Sequence, residues 1–82
     1  MPLVTIKGIE GVFSEEQKQL AIRKVTDVLV DIEGERMRPI TWVIFEEVKG
    51  GDWGIAGNCL GAADVKAVQS GAVSVRDAIG AP

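Results

Sequence analysis

The sequence predicts an α/β fold, a single β-α-β unit with parallel strands that packs as an oligomer. Three observations point there. LVTIKG, near the start, is a short run with the β-formers Val4 and Thr5. SEEQKQLAIRKVTDVLVDIEG places apolar residues at helical spacing between two capping signals. ITWVIFEEV is a second β-rich run whose middle, Trp42 to Phe45, is apolar throughout.

The first strand opens on Pro2, which has no N–H for a sheet ladder and suits a strand's first residue. Alternation then puts Pro2, Val4 and Ile6 on one face and Leu3, Thr5 and Lys7 on the other. The turn IEGVF follows. Ser14 is a good N-cap, and Gln17 three residues on completes a capping box. Glu15 and Glu16 fall in the first turn, where the helix dipole favours acids. Ala21, Ile22, Val25, Val28, Leu29 and Ile32 form the apolar stripe, and Gly34 is the stop, giving a helix from about Glu15 to Glu33. GERMRP is expected as a loop, because Pro39 discourages helix before it.

The apolar middle of the second strand predicts burial on both faces. Two strands and one helix cannot supply that cover, and a chain of 82 residues with one cysteine has no disulfide to help. Association between copies is the remaining stabiliser. Beyond the second strand, KGGDWGIAG is a glycine-dense turn around Trp53, and IAGNCL is a short turn or strand. Ala62 to Gln69 can hold a helical turn or two, Gly71 interrupts it, and the last residues are expected to be loose. Residues 1–60 are read as the β-α-β domain and 61–82 as a C-terminal extension.

Composition removes several functions. With 9 basic and 12 acidic residues and no basic stripe, the chain is not expected to bind nucleic acid. Its apolar runs are too short for a membrane span, and no signal peptide is visible. A lone Cys59 fits a reducing cytoplasm. One cysteine and no histidine make a metal site poorly supported.

The absence of histidine also removes the usual base near neutrality. If Met1 is cleaved, Pro2 becomes a secondary amine at the chain end. A terminal amine starts near pKa ~8, and burial of its charged form lowers that. Pro2 is thus both a plain strand opener and a candidate base. Cys59, with no histidine to activate it, reads as an incidental thiol.

Taken in order, the MP-strand, EGVFSEEQK and WVIFEEVKGGDWGIAG resemble the 4-oxalocrotonate tautomerase family over roughly Pro2 to Leu60. The resemblance implies removal of the start methionine and catalysis by the proline nitrogen as general base and acid, with no cofactor. It implies a homo-oligomer, most simply a hexamer, with active sites at subunit junctions and a small enol or keto acid as substrate. Trp53 stands where the family has an aromatic residue, and would wall the amine with apolar surface. The best-known members also use an arginine in the turn after the first strand and another at the head of the second. Here the turn holds Ile9 and no arginine, and Trp42 occupies the second position. That departure points away from dicarboxylate substrates. Backbone donors near Ile9, a water, or Arg38 from a neighbouring subunit are the candidates left to meet substrate charge, with Arg36 and Arg38 otherwise solvated loop residues. A lyase of the same fold (hydratase, dehalogenase or decarboxylase) and a non-catalytic oligomeric binding module are the alternatives.

Overall fold

The computed structural model describes residues 1–80, so the last two residues of the expected extension, Ala81 and Pro82, lie outside the described residues. The elements in order are β1 (Leu3–Ile9), α1 (Glu15–Glu33), a 3-10 helix (Glu35–Ile40), β2 (Trp42–Val48), β3 (Trp53–Ile55), β4 (Asn58–Leu60), α2 (Ala62–Gln69) and α3 (Val75–Ala78). They fall into two compact units. The first comprises Met1–Lys7 and Phe13–Glu46; the second comprises Gly8–Val12 and the residues from Glu47 onward.

β1 and β2 pair as a parallel two-stranded sheet. The sense of the pairing is visible at its ends: Trp42 N–H donates to the Pro2 carbonyl at 3.1 Å, and Glu10 N–H donates to the Val48 carbonyl at 2.7 Å. Low numbers pair with low and high with high, which requires the crossover that α1 provides. The helix has the predicted bounds and caps. The Ser14 hydroxyl accepts from Gln17 N–H at 3.1 Å, and the Gln17 side chain accepts from Ser14 N–H at 2.9 Å. Gly34 ends it at φ +107°, a value that disfavours any residue with a Cβ.

In the first unit, one sheet face is half-buried at Val4, Ile6, Val43 and Phe45, and the other stays exposed. Phe13 and Phe45 meet on the covered side with ring centroids 5.2 Å apart, a tilted contact favoured by the ring quadrupoles. The expectation that Trp42 to Phe45 is buried on both faces does not hold within one chain. Trp42 is 54% and Ile44 39% exposed, because a single helix covers a single face. The helix stripe is corrected in the same way. Ala21, Ile22, Val25 and Leu29 turn inward, but Val28 and Ile32 face solvent, and Val30, outside the expected stripe, is the most buried of the core residues.

GERMRP is not an irregular loop. It winds as a 3-10 helix, with Met37 N–H donating to the Gly34 carbonyl and Thr41 N–H to the Arg38 carbonyl. Pro39 blocks α-helix before it, but the tighter i→i+3 winding accommodates it.

In the second unit, β3 and β4 form an antiparallel hairpin with Trp53 opposite Leu60 and Ile55 opposite Asn58. Its two-residue loop, Ala56–Gly57, has positive φ at both positions, the pattern whose twist matches that of paired strands. α2 follows with the bounds the sequence indicates. Gly61 N–H donates to the Asp64 carboxylate at 2.8 Å, tying down its first turn. α3 was not anticipated. It is capped by the Ser74 hydroxyl, which accepts from Asp77 N–H at 3.1 Å. Ile55, Leu60, Val65, Val68, Val75 and Ile79 line a half-open apolar hollow of ≈ 180 Å³ in this unit.

Candidate functional site around Pro2

Pro2 heads β1 and is half-buried. Its carbonyl is held by Trp42 N–H, while its nitrogen lies outside the sheet's hydrogen bonding. Met1 is 76% exposed, open to removal. While Met1 remains attached, the Pro2 nitrogen is a tertiary amide with no basic lone pair. Once freed, it is a secondary amine anchored through its own carbonyl to the head of β2.

Two side chains flank this end of the sheet on its uncovered face. Leu3 is 58% exposed, and Trp42 makes no aromatic contact and no side-chain hydrogen bond among the described residues. The indole N–H of Trp42 is therefore an unused donor.

Arg38 lies close by in sequence and structure, since its carbonyl accepts Thr41 N–H at 3.3 Å, one residue before Trp42. Its guanidinium is already engaged. Nε donates to Glu35 Oε1 at 2.7 Å and Nη1 to Asp27 Oδ1 at 2.8 Å. These bonds hold the Arg38 guanidinium still further above its ordinary value and lower the Glu35 carboxyl. Glu33 adds a third carboxylate, in contact with the Thr41 hydroxyl, which also touches the Met37 carbonyl. Arg36, two residues before Arg38, is exposed and makes no ion pair among the described residues. The partnership with Glu35 was legible as an i,i+3 spacing; the one with Asp27, eleven residues away, was not.

The other two candidates belong to the second unit. Ile9 is buried, at 7% exposure, and serves as a core residue. The amides after it are committed within the chain: Glu10 to Val48, Gly11 to the Glu47 carboxylate at 3.2 Å, and Val12 to the Ile9 carbonyl at 3.2 Å. Trp53 begins β3 and is half-buried. Cys59 is an exposed free thiol on β4. No group of histidine, cysteine, aspartate or glutamate among the described residues could hold a metal ion. No described helix is long and apolar enough to cross a membrane.

A family model described as "Tautomerase enzyme" matches residues 2–63, beginning at Pro2. The chain belongs to the tautomerase family. Among solved structures, this tautomerase is similar to a chain from a study of the 4-oxalocrotonate tautomerase isozymes of Methylibium petroleiphilum. The two share 32% identity over 76% of this chain and 94% of the other, at a TM-score of 0.64. DmpI from Helicobacter pylori shares 26% identity over 79% of this chain and 96% of its own, at a TM-score of 0.60. An unfused 4-OT in its apo form, at 23% identity, covers 77% of this chain and 97% of its own at a TM-score of 0.63, which speaks to the fold. No curated protein matches the chain. Residues after 63, including most of α2 and all of α3, lie beyond the family match.

Proposed function

We propose that this tautomerase family member is a cofactor-independent keto–enol tautomerase in which Pro2, freed of Met1, is both general base and general acid. The observation that carries the reading is the anchoring of Pro2. Its carbonyl is fixed by the head of β2, while its nitrogen is left out of the ladder at a half-buried position. Neutral Pro2 takes the hydroxyl proton of a small enol acid, and the oxygen's bonding pair becomes the carbonyl bond. The displaced π pair then takes the proton back from the prolinium at carbon. One group serves both steps, so no second acid is needed.

The working form is a homo-oligomer, a hexamer in the simplest case, with sites where copies meet. The exposed apolar side chains Leu3, Trp42 and Ile44 on the sheet, and Val28 and Ile32 on α1, support association. Trp53 is the candidate apolar wall that keeps the amine neutral. Arg38 enters the site only if substrate displaces Glu35 and Asp27.

The test joins an intact-mass measurement to kinetics. The purified chain is expected to lack the mass of Met1, and Pro2→Ala to lower kcat/KM for an enol-acid substrate by roughly 10²-fold or more. Wild-type rates in Pro2→Ala, or full retention of Met1 in active protein, would remove Pro2 from the chemistry.

A further inference from the structure

We infer that Thr41 is a positioning residue for the reactive amine. Its hydroxyl is clamped between the Glu33 carboxylate and the Met37 carbonyl. That clamp fixes the next amide along the chain, the Trp42 N–H that holds Pro2. The direction of the Pro2 nitrogen is thereby set from the C-terminal end of α1. This inference rests on Pro2 being the reactive base.

The first argument is how Pro2 is held. Once Met1 is removed, no residue precedes it, and the 3.1 Å bond from Trp42 N–H to its carbonyl is the outermost bond of the β1–β2 pairing. The carbonyl carbon and the amine nitrogen share one Cα. With the carbonyl fixed, a single backbone torsion separates the held group from the reactive one. The last bond of a ladder frays when nothing beyond it is fixed. For a base that has to meet a substrate proton, a misplacement of about 1 Å can cost about a hundredfold in rate.

The second argument is what lies just beyond that bond. Thr41 is the half-buried joint between the 3-10 helix and β2. Its own N–H reaches the Arg38 carbonyl at 3.3 Å, longer than the usual range for such a bond. The side chain supplies the better ties. The hydroxyl shares its one proton between the Glu33 carboxylate and the Met37 carbonyl, the latter 2.8 Å away. Glu33 is the last residue of α1, and Met37 belongs to the 3-10 helix. One hydroxyl thus joins α1, the 3-10 helix and the residue before β2. A bond to a carboxylate is shorter and stronger than one between neutral groups. Arg38 also ties the 3-10 helix to α1 through Asp27, but with both side chains exposed, where an ion pair contributes little.

The experiment measures kcat and KM for phenylenolpyruvate per folded protomer in wild type, Thr41→Val, Thr41→Ser, Glu33→Ala, Val30→Ala and Pro2→Ala. The nitrogen resonance of the Pro2 amine, in protein labelled at proline, gives a readout independent of turnover. Thr41→Val keeps the branched shape and loses the hydroxyl, so kcat is expected to fall by about tenfold with KM changed by less than about twofold. The Pro2 resonance moves in the same variant. Thr41→Ser keeps the hydroxyl, so its kcat stays within about twofold of wild type and its resonance stays in place. Glu33→Ala removes one of the two partners of the hydroxyl and lowers kcat by about threefold, with a resonance shift in the same direction. Val30→Ala loosens the core of the same unit without touching the clamp, so it loses stability and keeps kcat and the resonance.

Wild-type kcat or an unmoved Pro2 resonance in Thr41→Val would overturn the inference. So would a Thr41→Ser variant as slow as Thr41→Val, or a matching fall in kcat in Val30→Ala. Should Thr41→Val fail to fold, Glu33→Ala decides by the same two readouts. Should phenylenolpyruvate turn over too slowly to measure, the resonance decides. Pro2→Ala separates the two readings. If it is inactive while Thr41→Val is silent, Pro2 remains the base and the positioning role falls. If it retains wild-type activity, the base reading falls.

Discussion

Ala56 is the one described residue other than glycine with a positive φ, at 52°, and it sits at the first central position of the β3–β4 hairpin. An L-residue there brings its Cβ against the following carbonyl at a cost of about 1–2 kcal/mol. Asparagine tolerates this conformation, and Asn-Gly is the pair most favoured in such a turn. Gly57 already supplies the second half, at φ +81°. Ala56→Asn therefore recovers part of the strain, about 0.5–1 kcal/mol. Ala56→Gly removes the clash but gives back about 0.4–1 kcal/mol through the greater freedom of the unfolded chain, so it gains less. Gly57→Ala, the opposite change one residue on, should destabilise by about 1 kcal/mol or more. Urea unfolding read by circular dichroism measures all three, at one fixed protomer concentration because association shifts apparent stability. For a chain of this size the asparagine variant should melt about 2–8 °C higher. Ala56→Asn at or below wild-type stability with an unchanged urea slope would refute the assignment of strain to this position.

Val30→Ala removes two methyl groups from a position 2% exposed, so it should cost about 1.5–3 kcal/mol in the same unfolding assay, while Val28→Ala, at 59% exposure, should cost clearly less in the separated chain. The Glu35 carboxyl is lowered chiefly by its hydrogen bond from Arg38, so the pair's contribution is present above the ordinary value of 4.5 and is lost as pH falls through the lower folded-state value. An NMR titration of the Glu35 carboxyl should show that depression, and Arg38→Ala should return it to the ordinary range; an unmoved titration would mean that the bridge does not persist in solution.

The local rules of the chain read well where one signal stood alone. Ser14, Gln17 and Gly34 set both ends of α1 because each capping group acts through its own backbone neighbours. Elements failed to read where two local signals conflicted or where the partner was distant. Pro39 correctly excluded α-helix but hid the 3-10 helix, whose bonds span one residue fewer. The β3–β4 hairpin carries Ala-Gly instead of Asn-Gly, so its strongest turn signal was absent. α3 had a visible clue in Ser74 and Asp77, too short to weigh against the glycines around it. Val28 and Ile32 have the spacing of core residues, and periodicity reports which face is apolar without reporting what covers it. Among the candidates, Pro2 and Trp42 stand out by position in the sequence, and the sheet joins them through one backbone hydrogen bond while their side chains lie on opposite faces. The capture of Arg38 by Asp27 is a contact across eleven residues between two different helices, and no local pattern encodes it.

Under the proposed association, the thinness of the interior makes folding depend on supply. Ile9, Val30 and Leu60 are the buried apolar residues among those described, while Leu3, Trp42, Ile44, Val28 and Ile32 remain open in the lone chain. If copies associate as proposed, a freshly made one carries sticky surface until it meets another. Under that association, doubling the number of copies raises the melting temperature, and dilution lowers it, without any change in sequence. The interval between release from the ribosome and that proposed first encounter is when the chain is most vulnerable to proteases and to aggregation. A mutation on the sheet's outer face could leave the residues around Pro2 untouched and still lower the amount of working protein in a cell, because it lengthens that interval.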